Sequence, residues 1–355
     1  MKKYNLFAII SLISIFSNCT GDKKKLFSFD ETKFKLILTT DDSVGLTLKN
    51  EKSKTIDSVL YFCDGKKIGS VKGNSKFDFG LTNEKLGYKN LKAIIYFEND
   101  STKTDTRIEV VSGVEPKLLK YTILNTYPHD IKAYTQGLEF YRDTLYEGTG
   151  NGAGNGSGLR GVSSLRKTDF KTGKVFKKVE LDDEIFGEGI TVLNNKVYQL
   201  SYKNNQGYVY DANTFKKIKT LTYYKQMEGW GLTNDGKNLY MSDSSENIHI
   251  INPENFKLVQ ELTIYSGSTK IPAINELDWV NGKIYGNIYT KDAIAIIDPK
   301  TGAVEGVLNL VDLKNKVTQH PDVDVLNGIA YNSRTKTFFV TGKNWDKMFE
   351  IRIEN

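Results

Sequence analysis

"DFKTGKVFKKVEL", residues 169–181, decides the fold, because its pattern returns three times. "DANTFKKIKTLTY" begins at Asp211, "NPENFKLVQELTI" at Asn252 and "DPKTGAVEGVLNL" at Asp298, in steps of 42, 41 and 46 residues. Each is a polar turn between two strand-like segments, opened by an Asp or Asn. A second pattern runs ahead of these turns. It reads "QGLEFYRDTLYEGT" from Gln136, "EGITVLNNKVYQLSY" from Glu188, "WGLTNDGKNLYMSDS" from Trp230, "NELDWVNGKIYGNIY" from Asn275 and "NGIAYNSRTKTFFVTGK" from Asn327. Five copies at this period, each with material for four strands, predict a five-bladed β-propeller. One blade cannot bury both faces alone, so the ring must close. "KYTILNTY" (120–127) and "MFEIRIEN" (348–355) are strand-like and would share the last blade.

Upstream lies a different pattern. Between residues 27 and 115 come "FKLILTT", "VGLTLKN", "DSVLYFCDG", "KKIGSVK", "KFDFGL", "LKAIIYFEND" and "TRIEVVS", short alternating segments punctuated by Asp-Gly and Asn-Asp. They predict a small Ig-like β-sandwich, joined near "VSGVEPKLL" to a propeller domain over 118–355. The fold class is therefore all-β. The sandwich carries no chemical motif and reads as a spacer or adhesion module.

The first residues read as an address. "MKKYNLFAIISLISIFSNC" has two lysines, an 11-residue apolar run from Leu6 to Phe16, and then Cys19. The run is too short to span a bilayer and suits a signal peptide. A cysteine just behind it resembles a bacterial lipoprotein signal: residues 1–18 removed, Cys19 lipidated, 19–26 a tether. An ordinary secretory peptide cut nearby is the alternative. Either way the chain is expected to be exported to the cell envelope. Cys63 is then the one remaining cysteine, which excludes an intrachain disulfide.

Composition narrows the partners. Hydrophobic residues make up 39% and the net charge is +6, with lysines scattered apart from Lys23-Lys24-Lys25. No basic stripe is interleaved with aromatics, so nucleic acid is not an expected partner. Six prolines against 20 Tyr and 18 Phe favour strands.

The repeat also points at a site. Gln136, Glu188, Trp230, Asn275 and Asn327 occupy equivalent places, each expected just before an innermost strand. Inner strands of a propeller line its channel in one direction, so these positions should ring one mouth. Glu147, Tyr202, Asp243, Tyr289 and Lys343, at the ends of the second strands, should lie nearby. Glu188 sits in "IFGEGITV" (185–192), where a glycine on each side lets backbone approach closely. It is either a solvated acid on a turn or a general acid/base whose burial raises its pKa.

The motifs "YPHDIKAYTQGLEF", "GVSSLRKTDFKTGKV", "IFGEGITVLNNKVYQLSY", "MEGWGLTNDGKNLYMSD", "INELDWVNGKIYGNIY", "DVLNGIAY" and "FFVTGKNW" occur in this order. Together they resemble the plant-type glutaminyl-peptide cyclotransferases, also called glutamine cyclotransferases, which occur in bacteria too. The resemblance spans about residues 120–352 and leaves out the N-terminal β domain. It implies a five-bladed propeller that cyclises the N-terminal glutamine of peptides or proteins to pyroglutamate and releases ammonia. It implies no cofactor and no catalytic metal. The family's essential glutamate matches Glu188. Its other pocket residues match Gln136, Phe186, Trp230, Asn275 and Lys343. Three positions depart from the usual pattern: Tyr134 in "YTQG" for "FTQG", Tyr202 in "QLSY" for "QLTW", and Tyr289 in "NIY" for "NVW". Each keeps a ring but shrinks it or adds a hydroxyl, which bears on pocket size and substrate preference. In the reaction so implied, Glu188 would take a proton from the attacking amine and return it to the leaving nitrogen. Gln136 and Asn275 could hold the amide and the oxyanion. Trp230, Tyr202 and Tyr289 would wall the pocket, and Lys343 could either stabilise the oxyanion or orient Glu188.

Other motifs carry less. "GTGNGAGNGSGLRG" (148–161) contains a GxGxxG match at Gly156–Gly161, but a strand-like segment follows it where a dinucleotide fingerprint needs a helix. His129, His249 and His320 have no partners at metal spacing. "HPDVDVLNG" could place Asp322 and Asp324 around a cation, though a solvated loop is the simpler expectation. Two rival functions stay open. One is a noncatalytic cell-surface propeller that binds peptide or protein. The other is a lactonase-like propeller enzyme, which needs a cation ringed by acids. One glutamate among five aligned positions does not supply that ring.

Overall fold

The computed structural model describes residues 26–152 and 158–354. The leader, Cys19 and most of the tether lie outside the described residues, as does Gly156 of the glycine-rich tract. Among the described residues the chain is all-β, apart from a 3-10 turn at Glu31–Lys33 and one short helix, Val311–Lys314.

The N-terminal part is a five-stranded sheet in the order Ile37–Thr39, Asp100–Val111, Gly87–Phe97, Ile56–Cys63, Lys66–Lys72. Alternation fixes its faces. On Gly87–Phe97, Leu91, Ala93, Ile95 and Phe97 are buried, whereas Tyr88, Asn90 and Tyr96 face out. The inward residues meet Phe27, Phe29, Val44, Leu46 and Leu48, which come from two small two-stranded sheets. Cys63 is buried there as a free thiol, and burial pushes its pKa up to about 12.

This core also takes in Tyr265, a residue far along the chain. The Tyr265 hydroxyl donates to Glu109 at 2.7 Å, and Lys270 reaches Glu109 at 3.2 Å while lying 4.1 Å from the Tyr88 ring. Gly267 N–H donates to the Val114 carbonyl at 3.3 Å. The hairpin Tyr265–Lys270 thus pins the first sheet to the rest of the molecule.

From residue 135 the strands come in fours. Three groups are separate antiparallel sheets: Thr135–Tyr141 through Lys174–Glu180, Gly187–Leu193 through Lys217–Thr222, and Leu232–Asn234 through Leu258–Thr263. The rest form one eight-stranded sheet. Its order is Ile274–Val280, Lys283–Ile288, Ala293–Ile297, Val304–Asn309, Lys117–Pro128, Lys347–Glu354, Thr337–Gly342, Leu326–Asn332. The repeated polar turns join third to fourth strands, and the opening side chains close them. Asp169 accepts from Lys171 N–H, Asp211 from Thr214 N–H, and Asn252 from Glu254 N–H. The strand that opens this second part and the strand that ends it pair antiparallel, with Tyr121 opposite Ile353. One join was not legible in the sequence: Lys117–Leu119 also pair in parallel with Gly306–Leu308. That bond fuses two groups of four into the large sheet.

The first strands of the five groups touch one another in a closed round: Thr135–Tyr141, Gly187–Leu193, Leu232–Asn234, Ile274–Val280, Leu326–Asn332, and back to the first. Carboxylates stitch this round together, Glu276 and Asp278 buried and Glu139 half-buried. Glu276 accepts the Leu138 and Ile329 amides at 3.0 and 2.8 Å, Asp278 the Tyr331 amide at 2.7 Å, and Glu139 the Val192 amide at 3.1 Å. Burial raises the pKa of all three, Glu139 to about 7.

Candidate active site

Four of the five inner strands break register near their start. The breaks fall between Thr135 and Gly137, Gly187 and Ile190, Ile274 and Leu277, and Leu326 and Ile329. Such a bulge re-aims a side chain that would otherwise lie in the pleat. Gln136, Glu188, Asn275 and Asn327 sit inside these breaks, each the second residue of its strand. They were expected just before the strands; only Trp230 precedes its own. Glycine follows Gln136, Glu188, Trp230 and Asn327 but not Asn275, and lets the backbones close up: Gly189 N–H donates to the Trp230 carbonyl at 2.8 Å.

A cavity of about 180 Å³ opens at this end of the round. It is lined by Tyr134, Gln136, Phe186, Glu188, Tyr202, Trp230, Asn275, Tyr289 and Lys343. The structure therefore brings around one space Glu188 and the eight other pocket residues that the resemblance picks out. At roughly 30 Å³ per water, that space suits a single side chain and its backbone amine rather than a large ligand.

Glu188 is buried at 4% exposure. Burial raises its carboxyl well above the ordinary range; Lys343 opposes the shift and Glu228 adds to it. Lys343, also buried, is lowered by burial against the pull of Glu188 and Asp324. Its ammonium lies 5.0 Å from the Tyr134 ring and 5.3 Å from that of Tyr289. Two aromatic runs wall the space. Phe186 meets Tyr134 edge-on at 6.1 Å and Tyr202 at 5.8 Å, while Trp230 meets Tyr289 edge-on at 5.5 Å.

Asn327, the fifth aligned position, does not line the cavity. Its Nδ2 donates to the Thr135 carbonyl at 2.9 Å and to Gln136 Oε1 at 3.1 Å. The carbonyl fixes the Asn327 amide, so Gln136 turns its oxygen to Asn327 and keeps its NH2 free to donate elsewhere. Asn275 Oδ1 is buried with no hydrogen-bond partner among the described residues. The site thus offers a donor amide, an unsatisfied acceptor, a cation and a titratable carboxyl within an aromatic wall.

Two second-strand residues expected nearby turn elsewhere. Glu147 pairs with His129 at 3.0 Å and Asp243 with His249 at 3.0 Å. His129 also donates to the Trp345 carbonyl at 2.8 Å; burial disfavours its charge, but Glu147 prevails and holds its pKa up. Both histidines are structural clasps. Among the described residues no group of three or more His, Cys, Asp or Glu is placed to hold a metal ion.

Sequence reasoning missed Glu228 and expected Asp324 on a solvated loop or around a cation, whereas both lie beside the wall of the cavity. The Tyr134 hydroxyl donates to Asp324 at 2.6 Å, and Glu228 accepts from the Trp230 indole at 3.2 Å and joins burial in raising the pKa of Tyr202. In both cases a tyrosine that departs from the resembled pattern has a carboxylate acting on its phenol. A phenol in place of Phe or Trp was the available signal, since a buried hydroxyl demands a partner.

Comparison with known proteins follows from this geometry. A family model described as glutamine cyclotransferase matches residues 93–353, beginning inside strand Gly87–Phe97. A glutaminyl-peptide cyclotransferase of Arabidopsis thaliana is 35% identical over 235 residues, which cover 65% of this chain and 71% of the plant protein. The crystal structure of Myxococcus xanthus glutaminyl cyclase is similar at a TM-score of 0.61 and 30% identity, covering 68% of this chain and 99% of that one.

Proposed function

The chain belongs to the glutamine cyclotransferase family, and on that premise we propose that it converts the N-terminal glutamine of peptides or proteins to pyroglutamate with release of ammonia. One observation carries the reading: the aromatic-walled cavity has a single buried, titratable glutamate among its nine lining residues.

The substrate brings its own nucleophile, the α-amine, and its own electrophile, the side-chain amide. Five-membered ring closure is intramolecular, so the site must fold the chain, exclude water and move one proton. Glu188, as carboxylate, takes the proton from the attacking amine. The new C–N bond forms and the carbonyl oxygen becomes an oxyanion facing the Gln136 NH2 and the Lys343 ammonium. Glu188 then returns the proton to the amide nitrogen, which leaves as ammonia as the carbonyl re-forms. Burial raises the Glu188 carboxyl well above the ordinary range, which makes its carboxylate a stronger base toward the attacking amine than an exposed one. The Asn275 oxygen is available to accept an N–H of the amine or the amide. No step needs a metal.

The five groups of four strands read as blades of a β-propeller over 118–355, and the first sheet as an immunoglobulin-like module over 27–115. Export and anchoring through a lipid on Cys19 belong to the same proposal. A Cys19→Ser variant should leave the membrane fraction; retention there would refute the anchor. The reaction is tested by incubating a Gln-Ala peptide and its N-acetylated form with the protein. Ammonia should come from the free amine alone. Release from neither would leave a peptide-binding role in its place.

A further inference from the structure

Asp324 reads in the sequence as one more acid on a solvated loop, yet its backbone is locked to that of Lys343. Asp324 N–H donates to the Lys343 carbonyl, and Lys343 N–H donates to the Val325 carbonyl, both at 3.0 Å. The Trp345 indole donates to the Asp324 carbonyl at 3.0 Å. The carboxylate is held at both oxygens, by the Tyr134 hydroxyl at 2.6 Å and by Val325 N–H at 2.8 Å. Lys343 lies across the rings of Tyr134 and Tyr289, with Glu188 and Asp324 as its two anionic neighbours. Both act on it through charge rather than through a hydrogen bond.

We propose that Asp324 is a positioning residue that supplies the standing countercharge of Lys343 and fixes the Tyr134 wall, leaving Glu188 free to carry the proton. This rests on the cyclisation proposed above. A buried ammonium without an anion gives up its proton. Were Glu188 the only anion near Lys343, it would be held as carboxylate and would return its proton poorly. Asp324 removes that conflict because hydrogen bonds outside the reaction fix it in place. The other groups facing this cluster are Gln136 and Asn275, which carry no charge, the phenols Tyr134, Tyr202, Tyr289 and Tyr223, and Glu228, which acts on Glu188. Tyr134 is then more than a substitute for Phe: its hydroxyl ties the wall to the countercharge.

The test is the pH profile of kcat/KM on a Gln-Ala peptide for the parent, Asp324→Asn, Tyr134→Phe and Lys343→Arg. Asparagine keeps an acceptor for Tyr134 but removes the charge. Lys343 should then lose its proton earlier, moving the alkaline limb down by about one pH unit, the scale of a nearby charge. Tyr134→Phe keeps both charge and ring, and should leave that limb where it is while raising KM. Lys343→Arg cannot deprotonate in this range, so its alkaline limb should vanish. An Asp324→Asn profile that superimposes on the parent's would overturn the assignment, as would an equal shift in Tyr134→Phe. If Asp324→Asn does not fold, Lys343→Arg decides alone: a limb unchanged from the parent's removes Lys343 as the titrating group. A folded parent that releases no ammonia defeats the reaction itself, and this assignment with it.

Discussion

Gly189 is where the fold and the site meet, and Gly189→Ala separates their contributions. Gly189 follows Glu188 on one inner strand and packs against the backbone of the next. A methyl group there would lie 2.5 Å from the Trp230 carbonyl oxygen and 2.6 Å from Leu232 N, where ordinary contact begins near 3.4 Å. The strands must therefore part by about 0.9 Å (3.4 − 2.5). Neither atom is a flexible side chain, so the strain cannot be relieved by a rotamer change. Overpacking of this kind costs about 1–3 kcal/mol, and a backbone collision belongs at the upper end. For a unit of this size, about 2–4 °C per kcal/mol gives a Tm drop on the order of 5–10 °C. The separation falls between Glu188 and Trp230, and a misplacement of about 1 Å can cost roughly 100-fold in rate. Calorimetry and ammonia release on the same preparation measure both effects. Gly80→Ala, where nothing lies within 4 Å of the added methyl group, is the control and should do neither. A Gly189→Ala protein with parental Tm and parental kcat/KM would refute the claim that glycine is needed for this close approach.

Two further outcomes follow from groups outside the cavity. The Glu139 carboxyl is raised to about 7 by burial, against an unfolded value of about 4.3, so the folded chain holds a proton the unfolded one lacks between those values. Its contribution to stability is full below about pH 4 and is lost as pH rises through about 7. The Tm of Glu139→Gln relative to the parent should therefore climb from pH 5 to pH 8 in a melting series, and a flat difference would show that Glu139 does not titrate this way. At the joint between the sheets, Tyr265→Phe removes the 2.7 Å bond to Glu109 and should cost about 1.5–3 kcal/mol, the usual worth of a hydrogen bond to a charged group. Denaturant unfolding should show this loss with turnover of a short Gln peptide unchanged; parental stability would mean the joint is not held there.

The sequence made the repeat legible because turn chemistry is local. Asp169, Asp211, Asn252 and Asp298 each close a turn with a neighbour two or three residues away, so the period is written in short stretches. The cavity followed from the repeat, since equivalent places in equivalent strands must face the same end. Some features needed three dimensions. The register breaks at Gln136, Glu188, Asn275 and Asn327 move these residues into their strands, and nothing in the residues alone distinguishes a bulge from a strand starting one place later. Asn327 holds an aligned position yet spends its amide on Gln136 and Thr135, because the neighbouring strand happens to present a carbonyl there. Tyr134 and Asp324 are 190 residues apart and meet only when the round closes. The parallel join of Lys117–Leu119 to Gly306–Leu308 has no local signature either.

The most direct test of the proton shuttle is steady-state ammonia release from a Gln-Ala peptide by the parent and by Glu188→Gln. Glutamine keeps the shape of the side chain but cannot accept and return a proton. The account predicts a fall in kcat of about 10²–10⁴, the usual contribution of general acid/base catalysis, with KM little changed. Equal kcat in both proteins would contradict it and remove Glu188 from the chemistry.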